Sequence, residues 1–243
     1  MIEIKDVTFS YSQNEMPILN QVNIAIAENE FLTIIGKSGC GKSTLLRVLA
    51  GLLSADSGEL LRQQQPLQPS EIIYMPQKET LLPWKTVKQN VLLPQVLNHK
   101  LSFSEAELDQ WLAQAGLLAY KDQYPHRLSG GMKQRVGFLR TLVTKRPILL
   151  LDEPFGALDS FTKNQMQSWL LDCWEQEQKT IVLVSHDLEE ALLLSDRIAI
   201  MTKRGMEIHE VHLPRPRTVE QRFTTEFIAQ RAKLERILTD EEV

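Results

Sequence analysis

The first part of the chain carries the alternation of apolar and polar residues that is typical of half-buried β-strands. This alternation covers 2–4 and 22–26, and a continuous apolar run, Phe31–Ile35, follows it. A continuous run of this kind is typical of a strand that is buried on both faces. Residues 1 to about 35 are therefore predicted to be β-structure, interrupted by a polar loop over 11–17.

From about Lys78 to Leu128 the apolar positions take up helical spacing. Ser104 and Glu107 form the pattern of a capping box, which predicts a helix from this point to Gly116. A short apolar run before this region, at 72–75, predicts one more strand, and 54–58 predicts a turn. The helical region therefore interrupts a chain that is otherwise of the α/β type.

The second half of the chain returns to short apolar runs separated by helical patterns. The runs that predict buried strands are 148–152, 181–185 and 198–201. Repeated strand–helix–strand order predicts a mainly parallel sheet with helices on both faces. After about Arg215 the pattern is mixed, and one helix is predicted over 219–238.

A glycine-rich segment lies between the predicted strand Phe31–Ile35 and a predicted helix that Gly51 closes. It matches the pattern G-x-x-x-x-G-K-[ST], in which backbone N–H groups and a helix N-terminus surround phosphate oxygens. Lys42 is predicted to reach the β- and γ-phosphates of a nucleotide, and the Ser43 hydroxyl to bind Mg²⁺. An ordinary glycine turn is the alternative. The residues predicted to bind the nucleotide here are Gly36, Lys37, Ser38, Gly39, Cys40, Gly41, Lys42, Ser43 and Thr44.

Two carboxylates end the apolar run at 148–152. Asp152 closes the strand and Glu153 follows it directly. An acidic residue at the end of such a strand is typical of the magnesium site of a phosphate-loop ATPase. Glu153 is predicted to polarise the attacking water as a general base, which requires an acceptor within hydrogen-bond reach of that water. A surface Asp–Glu pair at a strand end is the structural alternative.

A second glycine-containing segment, Ser129–Gly131, precedes another predicted helix. A serine and two glycines at a helix start provide free N–H groups and a second possible anion site. The alternative is a plain helix with Ser129 as its N-cap. Two phosphate-binding loops in separate parts of one chain are explained if the second loop serves a nucleotide that another copy of the protein holds.

Composition and charge narrow the class of protein further. The chain has 243 residues, 43% of them apolar, and a net charge of −4, so no overall positive field favours nucleic acid or anionic lipid. Its two cysteines, one of them Cys40 in the glycine loop, favour a reducing cytoplasm over a disulfide framework. Without a signal peptide or an apolar run of about 18 residues, any membrane role is expected to act through a partner.

These motifs together resemble the ATP-binding subunit of an ABC transporter. The resemblance extends from Ile2 to about Met201, and includes the Walker A loop, the Walker B strand with Glu153 as its catalytic carboxylate, and the signature motif over 128–134. It further implies catalytic roles for Gln77 as the Q-loop glutamine, also a metal ligand, and for His186 as the switch histidine. The remaining matches are Tyr11, implied to stack on adenine, and the D-loop 157–159.

Each of these carried-over residues also has a simpler structural explanation. Gln77 alone would be a solvated loop residue, His186 a helix cap, and Tyr11 a packing aromatic. The residues with implied or predicted catalytic roles are Glu153, His186, Gln77 and Lys42. Those with metal roles are Ser43, Gln77 and Asp152.

The resemblance implies a P-loop NTPase fold with an antiparallel β subdomain and an inserted α-helical subdomain. Within a single ABC ATPase domain over 1–243, the core with its β subdomain is expected over 1–77 and 146–215. The helical subdomain is expected over 78–145, and a helical tail over 216–243. The implied ligands are ATP and Mg²⁺.

The resemblance also implies partners and a location. A head-to-tail homodimer is expected to power solute import with an integral-membrane permease and a substrate-binding protein, bound peripherally at the cytoplasmic side of the inner membrane. The string Leu81–Trp84 and the segment 213–217 resemble the nitrate, sulfonate and taurine importer branch, which also includes importers of pyrimidine-type precursors. No nucleic acid is expected as a partner. The alternatives are a soluble ABC-type ATPase that acts on nucleic acid or ribosomes, and an interaction subunit that binds ATP without turnover.

Overall fold

The computed structural model describes residues 1–12, 16–78, 80–97, 104–144, 146–202 and 205–240. Residues 13–15 of the polar loop predicted over 11–17 lie outside the described residues. The chain divides into two compact units. The first consists of Met1–Tyr74, Pro147–Asp152 and Gln167–Val243, and the second of Met75–Arg146 and Glu153–Met166.

Ten strands and eight α-helices are present in the described part of the chain. The strands are β1 (Ile2–Phe9), β2 (Leu19–Ile26), β3 (Phe31–Ile35), β4 (Ser57–Arg62), β5 (Gln65–Pro66), β6 (Ile72–Met75), β7 (Ile148–Asp152), β8 (Thr180–Val184), β9 (Arg197–Thr202) and β10 (Gly205–Glu210). The helices are α1 (Lys42–Leu49), α2 (Val87–Val91), α3 (Leu93–Leu97), α4 (Glu105–Gln114), α5 (Gly130–Leu142), α6 (Ser160–Glu177), α7 (Leu188–Leu194) and α8 (Thr225–Asp240).

The first unit contains an antiparallel sheet of four strands in the order β2-β1-β4-β5. In β2 the predicted alternation is present, because Val22, Ile24 and Ile26 are buried and the residues between them are exposed. β1 pairs with both β2 and β4, and its register shifts between Ile4 and Phe9. The buried side chains of this sheet belong to the same apolar core as those of α1.

The first unit also holds a sheet of six strands in the order β10-β9-β3-β8-β7-β6. β3 pairs in parallel with β8 and β9, and β7 pairs in parallel with β8. Every residue of β3, β7 and β8 is buried, which explains their continuous apolar sequences. The carboxyl ends of these three strands therefore lie along one edge of the sheet.

The second unit consists mainly of helices. Ser104 caps α4, where its side chain accepts from the Glu107 N–H, and the reciprocal bond of a capping box is also present, as predicted. α2 and α5 pack together, with Val87 and Val91 of α2 fully buried. The rings of Phe138 and Phe155 lie 5.6 Å apart inside this unit.

Three details differ from the sequence predictions. The turn predicted over 54–58 ends earlier, because β4 already begins at Ser57, and β4 is only partly buried and so lacks a clear alternation. The strand β10 was not predicted, since most of its residues are exposed. The tail helix predicted over 219–238 is a 3-10 turn, 219–223, followed by α8, because Thr224 is extended and its hydroxyl accepts from the Phe227 N–H.

Candidate nucleotide-binding site

The candidate residues of the first unit follow the carboxyl ends of neighbouring parallel strands. The glycine loop 36–41 follows β3, Asp152 ends β7, and His186 comes shortly after β8, which lies between the other two strands. Ligands of open α/β sheets bind at this edge, because loops and helix N-termini converge there. The strand order thus brings three separate sequence motifs to one edge of a single sheet.

The glycine loop is shaped by its own chain. Gly36 has a φ of 154°, and a Cβ built on it would lie only 2.2 Å from the backbone oxygen of Met201. No other residue fits at this position without moving β9. The side chain of Lys42 is buried, and its Nζ donates to the carbonyl oxygens of Gly36 at 2.7 Å and Lys37 at 2.9 Å. The loop therefore surrounds an ammonium group at the start of α1.

Asp152 is connected to the glycine loop and to β6. The Ser43 hydroxyl donates to its Oδ1 at 2.9 Å, and the Tyr74 hydroxyl donates to its Oδ2 at 3.1 Å. Burial, and next the negative charge of Asp152, raise the pKa of Tyr74 to about 12. Tyr74 therefore remains a hydrogen-bond donor at neutral pH. No local pattern indicates this contact, because the sequence predicts Tyr74 only as a residue of a short strand.

Tyr11 lies beside the first turn of α1. Its hydroxyl shares a hydrogen bond of 3.4 Å with the Thr44 hydroxyl, and its ring packs edge-on against Phe9 with the centroids 4.9 Å apart. About a third of its surface, 36%, is exposed. A partly exposed aromatic ring offers apolar surface on which a flat ligand is able to stack.

Glu153 is the centre of the candidate residues in the second unit. Its Oε2 accepts from Gln77 Nε2 at 2.8 Å, so the predicted Q-loop glutamine and the predicted catalytic carboxylate are in direct contact. Its backbone oxygen accepts from the buried side chain of Gln134 at 3.0 Å. The backbone of Glu153 has a φ of 49°, a left-handed conformation that is uncommon for a residue other than glycine.

Ser129 is the N-cap of α5, and its Oγ accepts from the Met132 N–H at 3.3 Å. Ser129 and Gly130 are both exposed. A Cβ built on Gly130 would meet no atom within 4 Å, whereas one on Gly131 would lie 3.2 Å from the Ala157 oxygen. Both interpretations of this segment, helix cap and open anion site, are thus compatible with its geometry.

His186 is exposed and lies in a tight connection between β8 and α7. The Asp187 N–H donates to the Ser185 hydroxyl at 3.0 Å, and Asp187 then caps α7 by accepting from the N–H groups of Glu189 and Glu190. The side chain next to His186, and not His186 itself, therefore caps α7.

The structure brings the predicted residues together in two groups. Tyr11, Lys42, Ser43 and Asp152 belong to connected contacts of the first unit, whereas Gln77 and Glu153 are bonded within the second. Sequence reasoning missed the contact of Tyr74 with Asp152 and that of Gln134 with Glu153. Both are long-range side-chain contacts for which no local pattern exists.

Comparison with known proteins identifies the family. The family model described as ABC transporter matches residues 19–156. The formylaminopyrimidine import ATP-binding protein ThiZ of Halalkalibacterium halodurans is 40% identical, over 97% of this chain and 94% of that protein. The aliphatic sulfonates import ATP-binding protein SsuB of Bacillus cereus is 39% identical, over 86% of this chain and 85% of that protein.

Solved structures agree with these relatives. The dimeric post-hydrolysis state of the ATP-binding cassette MJ0796, bound to ADP and Pi, has a TM-score of 0.79 and 30% identity over 88% of this chain and all of that one. CbiO1 from Clostridium perfringens, part of the ABC transporter complex CbiONQ, has a TM-score of 0.73 and 25% identity, covering 100% of this chain and 98% of that one.

The chain therefore belongs to the ABC transporter family, and it is an ATP-binding ATPase subunit with the P-loop α/β fold. The predicted fold class is thus confirmed. Across the part of the chain that the structure describes, no helix combines the length and the apolar character needed to cross a bilayer.

Proposed function

We propose that this chain powers the import of a small solute as a head-to-tail homodimer bound beneath a membrane permease. The observation that carries this proposal is the 40% identity to an import ATP-binding protein over 97% of the chain. Relatives named for formylaminopyrimidine and for aliphatic sulfonates favour a solute of the sulfonate, nitrate, taurine or pyrimidine-precursor class. The further partner is a substrate-binding protein, and the location is the cytoplasmic side of the inner membrane.

In the proposed mechanism the loop 36–44 holds the phosphates of ATP. Its N–H groups and the N-terminus of α1 supply partial positive charge, and the Lys42 ammonium supplies a full one. Lys42 already lies within hydrogen-bond distance of two loop carbonyl oxygens, so little side-chain entropy is lost when it binds a phosphate. Tyr11, which is partly exposed, stacks on the adenine.

The donors around Asp152 fit a magnesium ion. A hydroxyl and a carboxylate, from Ser43 and Asp152, lie 2.9 Å apart, and hard oxygen ligands of this kind are those that Mg²⁺ takes. When bound, Mg²⁺ would neutralise charge that develops on the phosphates. Gln77, the third proposed ligand, belongs to the second unit.

Glu153 is the proposed general base. It takes a proton from the water that attacks the γ-phosphate, and the Gln77 amide orients its carboxylate through the bond of 2.8 Å. His186, which follows β8 at the same sheet edge, contacts the γ-phosphate and stabilises the attacking geometry. Turnover rather than ATP binding alone is proposed because both side chains are present.

The loop Ser129–Gly131 is proposed to bind the nucleotide of the second copy. Glycine at position 130 is not required by this chain, since a Cβ there would meet nothing within 4 Å. A small residue is required if the phosphates of a bound nucleotide approach the backbone closely. ATP then forms part of the dimer interface, and hydrolysis removes the link that holds the closed dimer.

The segment Leu81–Trp84 is the proposed contact with the permease. Trp84 is 69% exposed, which is unusual for a tryptophan and typical of a protein–protein contact.

The proposal is tested by measuring how much of the subunit co-sediments with membranes, with and without a co-expressed permease. The subunit is expected to co-sediment with membranes only when the permease is present, and Trp84→Ala is expected to reduce that recovery without changing ATP affinity. Lys88→Ala, a change at a partly exposed residue of the neighbouring helix α2, is the matched control. Recovery with ribosomes or nucleic acid instead of membranes would contradict the proposal.

A further inference from the structure

Gln134 lies in the second turn of α5 and is buried, although its side chain is polar. Its Nε2 donates to the backbone oxygen of Glu153 at 3.0 Å, and its Oε1 accepts from the Ala157 N–H at 2.9 Å. One amide therefore holds both ends of the turn that follows β7. A buried amide with both of its groups bonded contributes to stability, and its replacement leaves the partners unsatisfied.

The turn held by Gln134 is strained. Glu153 is left-handed at a φ of 49°, and its oxygen also accepts from the Gly156 N–H at 3.2 Å. A conformation of this kind is unfavourable and persists only where surrounding contacts enforce it. Because the backbone conformation of Glu153 sets the direction of its side chain, Gln134 acts on the carboxylate through the main chain.

The same helix begins with the Ser129–Gly131 loop. At Gly131 a Cβ would lie 3.2 Å from the Ala157 oxygen, so the first turn of α5 packs directly against the turn that Gln134 holds. A displacement at the start of α5 thus reaches Glu153 through two routes: close backbone packing and a side chain bonded at both ends.

We propose that Gln134 is a positioning residue that couples the Ser129–Gly131 loop to Glu153 of the same copy. The inference rests on the function proposed above. Each copy then senses, through its Ser129–Gly131 loop, whether its partner holds ATP, and orients its own general base accordingly. Hydrolysis at the two sites of the dimer therefore becomes cooperative, because the turnover of each site depends on the nucleotide at the other.

The test compares Gln134→Met, Gln134→Glu and a matched control on the same helix. Methionine keeps the volume and loses both bonds, whereas glutamate keeps the acceptor for Ala157 and loses the donor to Glu153. The control is Thr141→Val, which removes a buried hydroxyl bonded to the Gly137 oxygen and leaves the turn untouched. For each variant the melting temperature, ATP affinity, kcat and Hill coefficient of hydrolysis are measured.

Both Gln134 variants are expected to keep the ATP affinity of the wild type, to lose about 10–100-fold in kcat as an oriented base is lost, and to lower the Hill coefficient to about 1. Thr141→Val is expected to lower the melting temperature while leaving kcat and the Hill coefficient unchanged. If the methionine variant does not fold, the glutamate variant alone provides the measurement of kcat and the Hill coefficient.

Two results would overturn the inference. The first is a Gln134 variant that keeps a Hill coefficient above 1, even with reduced kcat, since the residue would then position Glu153 without coupling the sites. The second is a wild-type Hill coefficient of 1. Failure of the function proposed above is separate, because it is diagnosed by full activity of Glu153→Gln or Ser129→Arg.

Discussion

The two glycine-containing helix starts of this chain differ in what requires their glycines. In the first, the backbone oxygen of Met201 lies 2.2 Å from where a Cβ of Gly36 would be, and Lys42 is buried inside the loop. In the second, Ser129 and Gly130 are exposed and a Cβ of Gly130 would meet nothing. The first loop is completed by its own chain, whereas the second is open.

The two loops therefore differ in whether their glycines serve the stability of the fold or the binding of a ligand. A glycine that packing requires must be retained for stability, but a glycine that packing does not require points to a ligand from outside the chain. The sequence alone could not make this distinction, since both segments consist of glycines before a helix. The comparison supports one complete phosphate site in each copy and one partial site that serves another copy.

The largest expected effect is that of Glu153→Gln, which leaves both loops intact and removes only the base. Turnover is expected to fall by about 10²–10⁴-fold, the usual contribution of a general base, while ATP binding persists. ATP-bound dimer should therefore accumulate, measured by size-exclusion chromatography with saturating ATP. Asp172→Asn, an exposed change on α6, is the control. Monomer under these conditions would count against the role of ATP in the interface.

Lys42→Ala changes the complete loop. Loss of a charged donor to phosphate costs about 1.5–3 kcal/mol, so ATP affinity is expected to fall by about 10–150-fold. Isothermal titration calorimetry measures the change, and Lys233→Ala, an exposed lysine of α8 away from the loop, is the control. Normal affinity in Lys42→Ala would show that the phosphates bind elsewhere.

Ser129→Arg changes the open loop. In contrast to Lys42→Ala, it is expected to preserve ATP affinity and to reduce hydrolysis. ATP affinity of the single copy is expected to stay within about 2-fold of the wild type, because this loop does not contribute to that copy's own site. Hydrolysis is expected to fall by about 10-fold or more, because the bulky side chain prevents closure of the dimer. Titration and steady-state hydrolysis on the same preparation measure both values. Unchanged hydrolysis would mean that this loop does not face nucleotide.

The effects of Gly36→Ala and Gly130→Ala on the free energy of unfolding test whether packing requires the glycine in one loop and not in the other. Gly36→Ala is expected to lower the free energy of unfolding by about 1–3 kcal/mol, since its backbone conformation is strained for any residue with a Cβ. Gly130→Ala is expected to change it by no more than about 0.5 kcal/mol and yet to reduce hydrolysis. Urea unfolding gives both values, and equal losses of stability would contradict the distinction between the loops.

The smallest expected effect is that of Tyr74→Phe, which removes the hydroxyl bonded to Asp152 Oδ2. We expect a loss of about 1 kcal/mol in that contact and a rise of about 5-fold in the Mg²⁺ concentration that half-saturates hydrolysis. Because the pKa of Tyr74 is raised to about 12, its hydroxyl stays protonated at neutral pH and up to about pH 10. The difference between the two proteins should therefore not change with pH between 7 and 10.

Local patterns were sufficient for much of this architecture. The buried strands β3, β7 and β8 and the capped helices α4 and α5 were predictable, because continuous apolar runs and capping residues act within a few positions. The glycine loop was predictable for the same reason. The strand β10 was not predicted, since an exposed strand need not alternate.

Contacts between distant residues account for what the sequence could not show. Tyr74 reaches Asp152 across 78 positions, and Gln134 reaches Glu153 across 19. The left-handed backbone of Glu153 is likewise imposed by its surroundings and not by a glycine. Such contacts depend on the assembled fold, so no spacing rule reveals them.

Mixing two inactive variants tests the central claim most directly. Ser129→Arg and Glu153→Gln each damage both sites of their own dimer. If each ATP lies between the loop 36–44 with Glu153 of one copy and Ser129 of the other, a mixed dimer contains one intact site and one site with both defects. With random pairing, hydrolysis is expected to rise well above that of either parent, to at most about a quarter of the wild-type rate. Coupling through Gln134 lowers it below a quarter, because the copy that supplies the intact Glu153 carries the altered loop. If Ser129 and Glu153 of one copy serve the same nucleotide, no mixed dimer has an intact site, and a mixture as inactive as its parents would contradict the account.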